Sequence, residues 1–502
     1  MNKSNKWYIL AAMIVNISMI FIDSTVLPVA LPTIQKELGI SDLGLQWLIN
    51  SYLLSLTVLL ILGGKLSDIL GRRKICAAGL VIFILSSICC AFSHSESWFI
   101  ISRAFQGLGA ALLLPTTSAI LLAAFPPHER GRAMGIYLGA GSIFLSIGPP
   151  LGGLITEYFN WRYVFWINVP VACIGLFFLY LFVPKSERHK ETFDLVGFLT
   201  LVIGISALVV GLMETPRWGW TSYFTSGLFL IGIILIILLI KVDRKTEHPF
   251  IDFSLFKSKD FTAAVTCVFL AQFLMMVTVF WAIFFQHILK YSPSVAGLIT
   301  LIANSPIIFM APIAGYITDR FGPKLPATIG FFLIFVGLIS FITVVEKNNF
   351  YLLFPTLIIY GAGLPLVLNP CFVSSMNELP TQKWGVGNAL RQTIRQLGGT
   401  IGMALIGTIF LHRELDRLAH YFQTNPITKH LDSKLFENIL FSTTPEKEFS
   451  QLPLATATAI ETNYLEAYAA AFQMINFFSA FLALVGFVIA FLFLAHKPQA
   501  LK

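Results

Sequence analysis

The sequence predicts an all-α polytopic membrane protein: two six-helix bundles with two further helices between them, fourteen transmembrane helices in all. Three observations carry this reading: a composition suited to lipid, fourteen apolar stretches of spanning length, and an internal repeat at an offset of 251 residues. Of 502 residues, 56% are hydrophobic and 12% charged, about half the charge of a soluble domain. The mean hydropathy is +0.78. Charge that sparse belongs at membrane surfaces or in a protected interior. In a soluble chain the net charge of +8 would suggest nucleic acid. Here the excess Lys and Arg sits between apolar stretches, so the expected partner is the lipid bilayer and no nucleic acid. The six cysteines show no C-x-x-C or metal-ligand spacing, so no cofactor and no metal are expected. There is no Walker loop, G-x-S-x-G or H-E-x-x-H, and we expect a protein that is not an enzyme.

Crossing about 30 Å of hydrocarbon takes about 20 helical residues at 1.5 Å each. Stretches of that kind fall at 8–29, 45–63, 75–92, 98–124, 134–156, 163–183, 195–213, 224–241, 261–286, 295–317, 325–345, 351–376, 386–410 and 467–495. Lys3 and Lys6 precede the first, which carries Asp23 and is followed by many more, so it reads as a retained helix and not a cleaved leader. The division is 1–185 for the N-terminal bundle, 186–245 for the two additional helices and 246–502 for the C-terminal bundle. With the N-terminus placed inside, the inner segments hold 21 Lys/Arg and the short outer loops five. That bias predicts a bacterial inner-membrane protein with both termini cytoplasmic. A long polar segment at about 411–466, with five Lys/Arg against eight Asp/Glu, then faces outward.

The repeat sets GKLSDILGRR (64–73) against GYITDRFGPK (315–324). Gly64, Asp68, Gly71 and Arg73 align with Gly315, Asp319, Gly322 and Lys324. Glycines allow close backbone approach, and Asp68 beside Arg72 and Arg73 can form a surface pair that one conformation closes and another breaks. We read both segments as gating loops. A weaker echo pairs QGLGAALLLP (106–115) with YGAGLP (360–365). Parallel repeats of this kind are how many transporters are built.

Asp23, in FIDSTVLPVALP, sits inside the first stretch. An acid there costs at least about 2.5 kcal/mol, and it persists only against a cavity or a partner. Burial favours the neutral acid, a nearby guanidinium favours the carboxylate, and a group held between the two suits proton exchange. The alternative is a helix-end acid at the outer surface, since Pro28 and Pro32 follow. Arg103 keeps its charge and needs an acceptor; Asp23 and Gln106 are the candidates, with Gly107 beside them. GAGSIFLSIGPPLGG (139–153) gives the fifth helix a small-residue face including Gly148, Gly152 and Gly153, with Pro149 and Pro150 as a kink. GVGNALRQTIRQLGGTIG (385–402) places Arg391 and Arg395 four apart with Gln392 between them, a second polar lining for a cavity. More Arg than carboxylate favours anionic or weakly acidic lipophiles over cations.

GGKLSDILGRRK resembles the signature between helices 2 and 3 of the major facilitator superfamily. RAFQGLGAALLLP and GPPLGG resemble the fourth- and fifth-helix signatures of its drug:proton antiporters, and FIDSTVLPVALP and WRYVFWINVP (161–170) look like its 14-span EmrB/QacA-type subfamily. The resemblance implies the major facilitator fold and proton-coupled efflux of amphipathic or lipophilic small molecules by alternating access, with Asp23 and Arg103 at the coupling positions. The long 411–466 segment looks more like the EmrB branch, whose members work with a periplasmic adaptor protein and an outer-membrane channel. No acid lies between 295 and 317, where cation exporters of the subfamily carry one. Export of one endogenous metabolite, such as a siderophore, is the alternative within transport. A membrane sensor on the same scaffold is the alternative outside it.

Overall fold

The computed structural model describes residues 5–184, 194–243, 253–345, 350–377, 384–424 and 454–494, and their regular structure is entirely helical. Among the described residues, fourteen helices are long and apolar enough to cross a membrane. We number the spans α1 (Asn5–Leu38), α2 (Asp42–Leu70), α3 (Arg72–Ala91), α4 (Glu96–Ala124), α5 (Pro127–Tyr158), α6 (Tyr163–Phe182), α7 (Leu195–Met213), α8 (Tyr223–Asp243), α9 (Lys259–His287), α10 (Pro293–Phe321), α11 (Lys324–Val345), α12 (Phe350–Asn377), α13 (Trp384–Thr424) and α14 (Leu454–Phe493). Helix starts carry side-chain caps: Ser41, Ser95, Asp194 and Ser258 each accept from a backbone N–H three residues on.

The repeat reappears in the packing. The pairs α3–α4, α1–α5, α1–α6 and α3–α6 recur as α11–α12, α9–α13, α9–α14 and α11–α14. The glycine echo has the same cause in both halves. A Cβ on Gly107 would lie 2.4 Å from the Tyr52 carbonyl of α2, and one on Gly361 would lie 1.9 Å from the Ala303 carbonyl of α10. Two residues on, Gly109 abuts the backbone of α3 and Gly363 that of α11. Helices this close need hydrogen as a side chain. Gly71 and Gly322 end α2 and α10 at φ +98° and +81°, each donating its N–H to a carbonyl four residues back.

Helices α7 and α8 pack on each other, and α7 lies against α2 and α13. Trp47 Nε1 donates to Glu214 at 2.8 Å and Thr408 donates to the Leu212 carbonyl at 2.8 Å.

The structure departs from the sequence reading in two places. Helix α1 continues through Pro28 and Pro32 to Leu38, so Asp23 lies mid-helix; packing against α5, α6 and α9 holds what the prolines alone would end. The segment at 411–466 is helical at both ends, because α13 extends to Thr424 and α14 begins at Leu454; its middle lies outside the described residues, as do the boundaries near 185 and 245.

The two bundles meet through α2 on α13 and α5 on α10. Thr57 bonds Thr400 at 2.8 Å, and Gln46 donates to the Gly407 carbonyl at 3.3 Å. Gly153 abuts the Pro293 carbonyl, Gly297 abuts the Pro149 carbonyl, and Ser146 donates to the Asn304 carbonyl. These contacts lie at mid-depth or toward the side opposite the chain termini. The same faces continue toward the terminal side, since residues 153, 146 and 139 repeat every seven and 297 and 315 are five turns apart. There Gly135, Gly139 and Gly315 have nothing within 4 Å of a would-be Cβ. Among the described residues the bundles are thus in close contact at mid-depth and at the end opposite the termini, while these three glycine positions toward the terminal side face open space, and a central cavity lies between the bundles.

Candidate functional site

Five helices of the first bundle converge on Asp23. The Asp23 carboxylate takes a hydrogen bond from Arg103 Nη1 at 2.8 Å on one oxygen, and from Gln106 Nε2 at 2.8 Å and Asn168 Nδ2 at 2.9 Å on the other. Arg103 also donates through Nε to the Leu48 carbonyl at 3.0 Å and through Nη1 to Gln106 Oε1 at 2.5 Å, and its guanidinium lies 4.4 Å from the Tyr52 ring centre. Gln106 further donates to Ser87 Oγ at 2.8 Å. Asp23 and Arg103 are each 1% exposed. A buried ion pair survives only when its remaining valences are met; here α1, α2, α3, α4 and α6 each contribute to meeting them.

Chemically, Asp23 is the one carboxylate of this cluster. A proton on Asp23 removes the ion pair and turns an acceptor into a donor. Arg103 would then keep only Gln106, the Leu48 carbonyl and the Tyr52 face. Both Arg103 and Tyr52 line the central cavity. A change at Asp23 is thus one side chain away from whatever the cavity holds.

The cavity is walled by α1, α2, α4 and α5 on one side and by α9, α10 and α13 on the other. Gln392 and Arg395 line it, together with Gln396 and Gln272. Arg395 Nε donates to Gln272 Oε1 at 2.8 Å. Gln106, Gly107 and Arg391 do not line it, which corrects the sequence reading. Gln106 stands behind Arg103 in the cluster, and Gly107 is buried against α2. Four residues overshoot a helical turn by about 40°, so Arg391 falls at the edge of its face. It turns to α12, stacking 4.5 Å from the Phe372 ring and bonding Asn388.

On α5, Gly148 abuts Thr25 and Gly152 abuts Val26 of α1, while Gly153 and Pro149 face α10. This small-residue face therefore joins α5 to both bundles. In the first gating loop, Arg72 bonds Asp68 at 3.3–3.4 Å and the Ala119 carbonyl of α4 at 3.2 Å. Arg73 lies 4.8 Å from the Tyr180 ring of α6, and Lys324 lies 4.9 Å from the Phe491 ring of α14, the matching helix. Gly64 is in ordinary contact with Pro115, and the close approach belongs to its neighbour Gly63, against Ala111 of α4. Gly315 faces open space, and Asp319 is exposed with no ion pair among the described residues. The two loops are alike in backbone but not in charge pairing.

Sequence reasoning missed Asn168, Ser87 and Tyr52, whose uncharged side chains carry no signal in an apolar helix. It also assigned Glu414 to a polar loop. In the structure Glu414 is 3% exposed on α13 at the end opposite the termini, hydrogen-bonded to Tyr464 and within electrostatic reach of Asp42.

Comparison with known proteins places this geometry. The family model described as Major Facilitator Superfamily matches residues 13–195 and 192–403. The chain belongs to the Major Facilitator Superfamily. It is a multi-pass membrane transporter of that superfamily. It is 31% identical over 441 residues to the multidrug resistance protein Stp of Mycobacterium tuberculosis, covering 85% of this chain and 80% of that protein. It is 31% identical over 408 residues to the riboflavin transporter RibZ of Clostridioides difficile, covering 81% and 88%. Among solved structures, a bacterial homolog of the human lysosomal transporter Spinster, in an inward-facing and unoccupied conformation, superposes with a TM-score of 0.68 at 16% identity and covers 98% of both chains. That likeness is one of fold. In this facilitator, the buried Asp23–Arg103 pair belongs to one bundle and the open polar wall to the other.

Proposed function

We propose that the chain is a proton-coupled efflux antiporter of the 14-span drug:proton type, exporting amphipathic small molecules by alternating access. The observation that carries this reading is the Asp23–Arg103 pair: buried, with both Asp23 oxygens hydrogen-bonded, and in touch with the cavity through Arg103 and Tyr52. A relative named for multidrug resistance supports the cargo class. We place the termini in the cytoplasm and the chain in the bacterial inner membrane, on the charge bias of the loops; the cavity then opens to the cytosol.

In the cycle we propose, cargo enters the inward-open cavity while Asp23 gives up its proton to the cytosol. Charge on Asp23 draws Arg103, Gln106 and Asn168 together. Loaded, the bundles rock about the α5–α10 and α2–α13 contacts, with the glycine face of α5 as the sliding surface. Cargo leaves outward, a proton from outside neutralises Asp23, and the bundles return. Only differential stability of the two bundle arrangements in the two charge states can drive this. The test is transport into proteoliposomes under an imposed pH gradient. Cargo movement that follows the sign of the gradient is expected; movement indifferent to it would remove the proton from the mechanism.

A second reading, export of one endogenous metabolite, is favoured by the similarity to a riboflavin transporter. Profiling secreted metabolites in a deletion strain separates it from broad efflux. A periplasmic adaptor docking at 411–466, with an outer-membrane channel beyond it, belongs to the same proposal. Cross-linking before and after deletion of 415–460 tests it.

A further inference from the structure

The walls of the central cavity differ in kind. The first bundle presents mainly hydrocarbon, including Phe21, Leu27, Ile49, Leu53 and Leu56. The Ser24 and Thr25 hydroxyls on that wall donate back to the Phe21 carbonyl, so their protons are already used. The facing wall from α9, α10 and α13 presents Gln272, Asn304, Gln392, Arg395 and Gln396. Residues 392, 395 and 396 share one helical face by their spacing. The Arg395 guanidinium is held through Nε by Gln272. Its two terminal nitrogens, and the side-chain amides of Asn304, Gln392 and Gln396, have no hydrogen-bond partner among the described residues. Donors that are not engaged and face a cavity are where a ligand or water must bond.

The charge balance sharpens this. Arg103 and Arg395 are the charged residues of the cavity wall among the described residues, and no Asp or Glu lines it. Arg103 is neutralised at 2.8 Å by Asp23 behind it. Arg395 has no acidic partner among the described residues, so the cavity carries one uncompensated positive charge. We propose that the cavity is a two-faced site for amphipathic organic acids: a monoanionic carboxylate or sulfonate on Arg395 and the surrounding amides, and an aromatic or alicyclic body against α1 and α2. A single guanidinium fork matches one carboxylate. Met275 and Met276 of α9 also line the cavity, and their flexible thioethers accommodate bodies of differing shape. The proposal rests on the transport reading for the ligand's route, not for its binding.

The test uses the full chain in nanodiscs of zwitterionic lipid, at one pH throughout, with pyrenebutyrate, pyrenebutanamide and pyrenebutylamine as matched fluorescent probes. The acid should bind about tenfold tighter than the amide, in line with a charge-assisted hydrogen-bond pair, and the amine weakest. Arg395→Gln should erase the acid's advantage while holding amide affinity within about twofold. Arg395→Lys should keep part of it, and Arg395→Glu should reverse the order of acid and amine. Should Arg395→Gln fold poorly, the Lys and Glu variants still decide, since one keeps the positive charge on a long side chain and the other reverses its sign. An acid preference that survives Arg395→Gln or Arg395→Glu, or a wild type that prefers the amine, overturns the proposal. Phosphatidylglycerol added to the discs should not displace the acid; if it does, the site holds a lipid headgroup and the assignment to free organic acids falls. No pH gradient enters this measurement. Intact acid preference beside failed antiport would remove coupling alone, and the converse would remove the acid site alone.

Discussion

The two bundles handle buried cations in opposite ways. In the first, Arg103 is paired with Asp23 and its neighbours come from five helices. In the second, Arg391 leans on an aromatic ring with a buried Nε that finds no partner among the described residues, and Arg395 holds one glutamine. Both bundles descend from the same repeat and share their helix pairings. The difference lies in what each is asked to do. The first pair is completed within its own bundle, whereas a cation beside a cavity with no acidic partner among the described residues leaves donors for whatever the cavity holds.

The largest expected effect follows from opening the satisfied pair on one side only. Arg103→Ala strands a carboxylate in the bundle interior and should lower stability by about 3–5 kcal/mol, read as a drop in thermal unfolding temperature in detergent. The double variant Asp23→Leu with Arg103→Leu should recover much of that loss, because it strands no charge. If single and double variants unfold alike, the pair is not a coupled unit.

A smaller effect is expected where the bundles touch. Gly153→Leu drives a side chain into the Pro293 carbonyl, which already lies 2.3 Å from a would-be Cβ. Overpacking of this kind costs about 1–3 kcal/mol and falls on the closed end. A cysteine placed at Thr25, on the cavity wall, should then become reachable by impermeant maleimide from the side opposite the termini. Unchanged labelling would show that this contact does not hold the closed end together.

Arg391→Leu sharpens the contrast further. Replacing a cation that has no acidic partner among the described residues should change stability by no more than about 1 kcal/mol, or raise it, since burying a charge is itself unfavourable. A loss as large as that of Arg103→Ala would erase the distinction between the bundles. Smallest of all is Asp68→Asn. The Asp68–Arg72 pair is about one-third exposed, and its removal should cost under about 1 kcal/mol by the same unfolding measurement.

The spans were legible because lipid imposes one requirement, about 20 apolar residues per crossing, and the sequence meets it fourteen times. Asp23 and Arg103 stood out because a charge inside such a stretch needs a special explanation. Asn168 and Ser87 did not, since amides and hydroxyls are common in membrane helices. Gly63 and Gly64 are indistinguishable until the helix rotation is known. Glu414 was misplaced because α13 runs on past its apolar part: polarity marked a loop where the backbone remains helical. Pro28 and Pro32 misled in the opposite direction, as local breakers overridden by packing.

The most direct test of the coupling role compares two modes of transport in proteoliposomes carrying Asp23→Asn. Cargo–cargo exchange without a gradient needs only a working cavity and moving bundles, whereas accumulation against a concentration gradient needs a proton moved in return. We expect the variant to exchange cargo within a few-fold of wild type and to accumulate none under an imposed pH gradient. Accumulation at the wild-type level would show that protons, if they drive this transporter, bind somewhere other than Asp23.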